Sequence, residues 1–210
     1  MKPKTLGTAA AVAATLVAAA AVHGAPEKLT DPAKLNAKAP ETFKARFETS
    51  KGMIVIEVHR EWSPHGADRF YNLVKNGYYD GVKFYRVVPN FVVQWGIHGD
   101  PAIASKWLKA KIPDDPVKQS NKRGCITYAM GGPNTRSVQL FINLGDNGRL
   151  DSTGFAPFGE VIEGMDVVDK LNGEYGNGLS ELQGRIAAEG NAFLEKTYPH
   201  LDAILKGRIE

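Results

Sequence analysis

The sequence predicts a mainly β fold, a barrel or sandwich of short strands with helices packed against its ends. Three observations predict it. Residues 43–58 alternate apolar and polar side chains on either side of a turn; five further short runs are rich in β-branched or aromatic residues; and Gly, Pro and Asn punctuate the intervals between them. A chain of 210 residues, 43% of them hydrophobic, is long enough to give such a domain one full core.

In chain order, Phe43, Ala45 and Phe47 lead into the turn Ser50-Lys51-Gly52, after which Ile54, Ile56 and Val58 alternate again, as in a β-hairpin. Pro64 then introduces a helix over 67–76, where Ala67, Phe70, Leu73 and Val74 share one face and Gly77 supplies the stop. Strands are expected at 82–88, 91–95, 124–130, 139–144 and 158–162. A second helix over 164–171 carries Met165, Val168 and Leu171 at threefold spacing, and the core domain is expected to end near Asn172. The loop 98–123, with Pro101, Pro113 and Pro116, has the length of a functional or mobile segment. Beyond the flexible joint 173–178, Leu182, Ile186 and Phe193 recur in helical register through 180–196, which predicts an amphipathic appendage packed on the barrel.

The N-terminus is a different material. Lys2 and Lys4 precede an uncharged, alanine-rich run from Leu6 to Val22, and small residues follow at Gly24 and Ala25. This is a secretory signal pattern with cleavage expected after Gly24; the alternative is an uncleaved membrane anchor. Either reading exports the domain, to the periplasm or the medium when cleaved, or held at the inner membrane when not. The expected organisation is a signal segment 1–24, a Pro-rich tether 25–42, a core domain 43–172 and a helical extension 173–210. Lys+Arg number 26 against 23 Asp+Glu, a formal charge of +3 that becomes 24 minus 23, or +1, once Lys2 and Lys4 are removed. That balance offers no electrostatic footprint for nucleic acid.

Most catalytic chemistries fail on inspection. Cys125 is the single cysteine, so neither an intramolecular disulfide nor a Cys-based zinc site is available, and its apolar strand places it in the core. His59, His65, His98 and His200 lack metal-ligand spacing, so no metal and no cofactor is expected. Ser137 has no Gly-x-Ser-x-Gly context, and no glycine cluster forms a phosphate loop. Asp114 and Asp115 stand together on a Pro-bounded loop, where carboxylates usually serve turns and caps. What remains is the stretch Phe84-Tyr85-Arg86-Val87-Val88-Pro89-Asn90-Phe91-Val92-Val93-Gln94-Trp95-Gly96. Alternation turns Val92 and Gln94 to one face, and a tight turn at Pro89-Asn90 would set Arg86 across from them. Taken singly, Arg86 reads equally as an exposed strand charge and Gln94 as a polar edge residue.

This stretch, followed by Ala129-Met130-Gly131-Gly132-Pro133-Asn134-Thr135, Ser137-Val138-Gln139-Leu140-Phe141-Ile142, Leu150-Asp151 and Phe158-Gly159-Glu160-Val161-Ile162-Glu163-Gly164-Met165, resembles the cyclophilins over roughly residues 45 to 172. The resemblance implies an eight-stranded antiparallel barrel capped by two helices, peptidyl-prolyl cis-trans isomerase activity on proline-containing polypeptides, assistance to the folding of exported proteins, and a monomer. It also implies roles for single residues. Arg86 stands where the catalytic arginine does, and Gln94 where a glutamine fixes a substrate carbonyl. Phe91 and Val92 form floor and wall of a proline pocket, Ala129, Met130 and Gly131 a backbone rail for the peptide, and Gln139, Phe141 and Leu150 complete the groove. Three positions depart from the common pattern: Val92 in place of methionine, Arg149 in place of tryptophan, and Phe155 near a usual histidine. Two other classes stay open, a proline-peptide-binding chaperone without turnover and a hydrolase using carboxylates such as Asp100 and Asp115.

Overall fold

The computed structural model describes residues 27–210, so the expected signal segment 1–24 lies outside the described residues. Eight strands form one antiparallel sheet: β1 Thr42–Thr49, β2 Gly52–His59, β3 Arg86–Val88, β4 Val92–Trp95, β5 Cys125–Tyr128, β6 Leu140–Asn143, β7 Pro157–Glu163 and β8 Ile204–Ile209. Their order is β3-β4-β6-β5-β7-β2-β1-β8. The sheet curls so that residues just before β3 meet the start of β8: Phe84 N–H donates to Asp202 O at 2.9 Å and Ile204 N–H to Val82 O at 3.0 Å.

The β1–β2 hairpin pairs Thr49 with Gly52 and buries Phe43, Ala45, Phe47, Ile54, Ile56 and Val58, the alternation read from the sequence. Helix α1, Pro64–Lys75, lays Ala67, Phe70, Leu73 and Val74 on this sheet against β7 and β8. It ends where Gly77 takes φ 72° and Tyr78 N–H reaches back to Leu73 O at 2.9 Å, a left-handed cap that glycine adopts without penalty. Helix α3, Met165–Asp169, packs on β2. Between the sheet and these helices the core is largely aromatic: Phe70 lies 5.1 Å from Phe158, and Tyr128 lies 5.2 Å from Phe158, ring centre to ring centre.

Three expectations need correction. The tether is docked from Glu27 onward: Leu29 is fully buried and its carbonyl accepts the Trp107 indole N–H at 2.8 Å, while Asn72 exchanges two hydrogen bonds with Ala37. Partners on the folded domain bond the backbone of this Pro-rich stretch at Leu29, Ala37 and Ala39. The loop 98–123 contains helix α2, Pro101–Trp107, capped by the Asp100 carboxylate on Ala102 N–H at 2.8 Å. Finally, the segment after Asn172 is more than a helical extension. It forms a 3-10 turn, Gly178–Leu182, and helix α4, Gln183–Thr197, which packs on α2, and it then returns as β8 to pair with β1. Strand β8 hides from a period-two reading because the register shifts opposite Glu48/Thr49, leaving Leu205 as the extra residue, 54% exposed. Helix α4 is itself broken at Gly190, φ 65°, where a Cβ would lie 2.1 Å from Gly99 O; the break lets Asn191 N–H donate to that carbonyl at 2.9 Å.

The long loop is fastened by a buried ion pair. Arg136, 1% exposed, donates to Asp115 at 2.9 Å; Asp115 also accepts from Ser63 Oγ at 2.5 Å and from the N–H groups of His65 and Gly66 at 3.1 and 3.0 Å. The carboxylate thus caps the start of α1 from across the fold. Burial pushes the Asp115 pKa up, and the bonds from Ser63, Arg136, Gly66 and His65 outweigh it, so the net shift is downward. A depressed carboxylate pKa contributes stability above the unfolded value near ~4 and loses it as pH falls through the folded value. Asp115→Ala is therefore expected to lower unfolding free energy by about 3 kcal/mol at pH 7, with the gap to wild type closing below about pH 4. Urea titrations at the two pH values measure it, and a gap independent of pH would remove the ion pair from the explanation.

Candidate active site

The alternation that buries one face of the sheet in the core turns the other outward. Val87, Val93, Trp95, Leu140 and Ile142 face the main core. Their neighbours Arg86, Val92, Gln94 and Phe141 face the opposite way. Register then lines them up: Gln94 of β4 pairs with Arg86 of β3 on one side and with Phe141 of β6 on the other, and Val92 with Val88 and Asn143. The β3–β4 turn is tight, as read, with Asn90 at φ 60° and Phe91 N–H returning to Val88 O at 3.0 Å.

Loops from distant parts of the chain roof this row into a cavity of about 410 Å³. All eleven residues singled out from the sequence line it: Arg86, Phe91, Val92, Gln94, Ala129, Met130, Gly131, Gln139, Phe141, Leu150 and Phe155. Sequence reasoning missed Lys111, Thr135, Ser137 and Gln183. Thr135 and Ser137 lie within the runs quoted for the resemblance. Lys111, from the loop after α2, and Gln183, the first residue of α4, carry no local signal, because only tertiary packing brings them to the groove.

One end of the cavity is apolar. Phe141 and Phe155 meet edge to face at 5.7 Å, with Phe91, Val92 and Leu150 completing the walls. Buried polar anchors hold these walls in place. Phe91 O accepts from Leu144 N–H at 2.8 Å and from Asn147 Nδ2 at 2.9 Å. Asn121 Nδ2 bridges the Asp151 carboxylate at 2.7 Å and Phe155 O at 2.8 Å. The departure Arg149 sets its guanidinium 4.9 Å from the centre of the Phe91 ring.

The other end is polar and cationic. Arg86 Nη1 donates to Gln94 Oε1 at 2.8 Å, and Gln94 Nε2 donates to Gln139 Oε1 at 3.2 Å, an acceptor shared with the Tyr85 hydroxyl. Arg86 Nε is buried with no hydrogen-bond partner among the described residues, an arrangement proteins rarely leave without a use. Among the lining residues there is no Asp or Glu, so the guanidinium has no counterion within the cavity; burial lowers its pKa and proximity to Tyr85 partly offsets this. Along the rail, Ala129 N–H is spent on Gln139 O and Gly131 N–H on Thr135 Oγ1. The carboxylates of the hydrolase reading stand elsewhere, Asp100 on α2 and Asp115 on Arg136, and neither lines the cavity.

Comparison with known proteins agrees with this geometry. The family model described as cyclophilin type peptidyl-prolyl cis-trans isomerase/CLD matches residues 44–187. A peptidyl-prolyl cis-trans isomerase of Acinetobacter baylyi is 35% identical over 148 residues, 65% of this chain and 76% of that protein. Peptidyl-prolyl cis-trans isomerase ppi1 of Schizosaccharomyces pombe is 36% identical over 128 residues, 60% of this chain and 82% of its own. Among solved structures, a cyclophilin type isomerase of Cryptosporidium parvum superposes with a TM-score of 0.58 at 21% identity, covering 80% of this chain and 98% of that one; it has also been solved in the presence of the dipeptide Ala-Pro.

The floor of the site depends on one close approach. Gly96, φ 121°, follows β4, and a Cβ there would stand 2.3 Å from Val138 O and 2.6 Å from Gln139 Cα. Gly96→Ala is expected to cost about 3 kcal/mol of stability, read by urea unfolding, from backbone strain and displacement of the segment that carries Gln139 into β6. A loss under about 1 kcal/mol would show that the two segments can separate freely.

Proposed function

The chain belongs to the cyclophilin-type peptidyl-prolyl cis-trans isomerase family and is an isomerase of X-Pro bonds; on that premise we propose that Arg86 stabilises the half-rotated bond above the apolar pocket. Rotation about an X-Pro bond is slow, with a barrier of about 20 kcal/mol and uncatalysed times of roughly 10 to 100 s, because amide resonance must be broken. No proton has to be moved. As resonance is lost the proline nitrogen becomes pyramidal and gains a lone pair, and a fixed cationic donor favours that state over the planar ground states. The single observation that carries the assignment is a guanidinium without a carboxylate partner in the cavity, its Nε unbonded, beside walls made by Phe91, Val92, Phe141, Leu150 and Phe155.

In this reading the proline ring sits among those walls. Gln94, whose carbonyl is held by Arg86, and Gln139 are the side-chain amides that engage the substrate backbone. The Met130 peptide group serves as the rail, since its neighbours' N–H groups are already bonded within the protein. One end of the substrate is then fixed while the other turns. The clients we propose are exported polypeptides in the course of folding; the support is the N-terminal pattern of Lys2, Lys4, the run 6–22 and Gly24-Ala25. Cleavage after Gly24 is the expected processing, and the mass of the mature chain measures it; a mass that includes the first 24 residues makes the segment an anchor.

Exchange NMR on an Ala-Pro peptide tests the mechanism. Wild type accelerates the exchange, and Arg86→Ala is expected to lose about a hundredfold or more of the acceleration, the usual cost of one charge-assisted donor in a preorganised site. Equal rates for the two proteins would leave a groove that holds proline segments without this catalysis. Because no Asp, Glu, His, Cys or Tyr among the described residues lines the cavity, kcat/KM is expected to stay nearly flat from about pH 5 to 9. A bell-shaped profile would overturn the arginine-only mechanism.

A further inference from the structure

Arg86 can only donate hydrogen bonds, and that restriction propagates through its neighbours. Gln94 must turn Oε1 toward Arg86, which leaves Nε2 to face Gln139. Gln139 must then present its own Oε1, and its amide nitrogen is directed away from Gln94. The contact between the two glutamines is long, 3.2 Å, and by itself a weak constraint on the Gln139 amide. A second donor secures it. The Tyr85 hydroxyl points at the same Oε1, so one acceptor is held from two sides and the orientation of all three groups is closed.

Tyr85 is well placed for such a role and for no direct one. It is 1% exposed, is absent from the cavity lining, and belongs to an apolar cluster separate from the main core. In that cluster it joins Ile97 and Ala104 with Leu179 and Ile186, and the last two come from the segment between α3 and β8. The 3-10 turn Gly178–Leu182 packs against β3, the strand that follows Tyr85 in the chain. Burial in this cluster drives the phenol pKa upward, which keeps the hydroxyl protonated and therefore a donor at any pH the protein meets.

We propose that Tyr85 is a positioning residue of the isomerase site: through Gln139 and Gln94 it holds the Arg86 guanidinium and the Gln139 amide in the arrangement that meets the substrate. The inference rests on the reading that Arg86 carries the catalysis. It makes the apolar segment after α3 part of the active site's support, since that segment encloses the ring whose hydroxyl does the aligning.

The test is a double-mutant cycle on Tyr85→Phe, which keeps the ring and removes only the hydroxyl, and Gln139→Ala, read by exchange NMR at several Ala-Pro peptide concentrations. Tyr85→Phe is expected to lower kcat about fivefold while KM changes by less than about twofold, the scale of one net buried hydrogen bond. In the Gln139→Ala background the same substitution is expected to change kcat by less than about twofold, because the group it acts through is gone. The side-chain amide resonances of Gln94 and Gln139 should shift in Tyr85→Phe. A purely structural role would lower the melting midpoint and leave kcat of the folded protein unchanged, and that result, or a full fivefold loss in both backgrounds, would overturn the proposal. If wild type itself gave no acceleration, the reading of Arg86 would fail. The amide spectra would then decide this inference alone, with unmoved Gln139 resonances counting against it.

Discussion

A guanidinium held by an amide instead of a carboxylate is the arrangement on which the site turns. Two opposite charges about 4 Å apart near a protein surface attract by roughly 4 kcal/mol, enough to commit an arginine to its partner. Gln94 Oε1 orients Arg86 through one bond at 2.8 Å and adds no net charge to quench it. The cation keeps its field and its spare donors for whatever enters the cavity. The cost is a desolvated, partly unbonded guanidinium, seen in the buried Nε without a partner and in the downward pull on its pKa. A fold can sustain that cost only if the surroundings are rigid, since a looser site would let water or a neighbouring acid relax the strain.

Rigidity comes from placing the site on the back of the barrel wall. The strands that present Arg86, Gln94 and Phe141 outward present Val87, Val93, Trp95 and Ile142 to the core, so each cavity-facing position is fixed by the packing of the residue next to it in sequence. The cavity walls use the same economy with polar groups. Asn121, Asn143 and Asn147 are almost fully buried and bonded to one another, to Phe91 O and to Phe155 O, tying the loops that carry the apolar end of the cavity to β4, β5 and β6. Satisfied networks of this kind specify a single arrangement of their loops.

What was legible in the sequence divides along the same line. The hairpin, α1, the strands around the site and eleven of the residues that line the cavity could be read, because their signals are local: alternation, a helical face, the glycine at 77, and short motifs whose order matches a family. The missed features are those set by contacts between distant segments. Strand β8 carries a bulge at Leu205 that breaks its alternation, and its first residues are paired with β1 from the other end of the chain. The stretch 27–41 has tether-like composition, yet Asn72, Asp68 and Trp107 supply partners for its backbone that composition does not reveal. Asp115 does serve a cap, one of the two roles expected of a carboxylate on a Pro-bounded loop, although the N–H it accepts at His65 lies 50 residues earlier in the chain.

The site therefore joins two kinds of parts with different freedom to vary. Its floor is built from adjacent strands whose register cannot slip by one residue without turning Arg86 and Gln94 into the core and Val87 and Val93 into the groove. Its rim is built from the loop that carries Lys111 and the helix that begins at Gln183, each anchored on its own apolar contacts through α2 and α4. Changes in length or polarity there alter what lies beside the apolar end of the cavity without disturbing the strands beneath it. Tyr85 sits at the seam, enclosed by rim residues and bonded to a floor residue, so packing of the rim and alignment of the floor are physically one variable at that position.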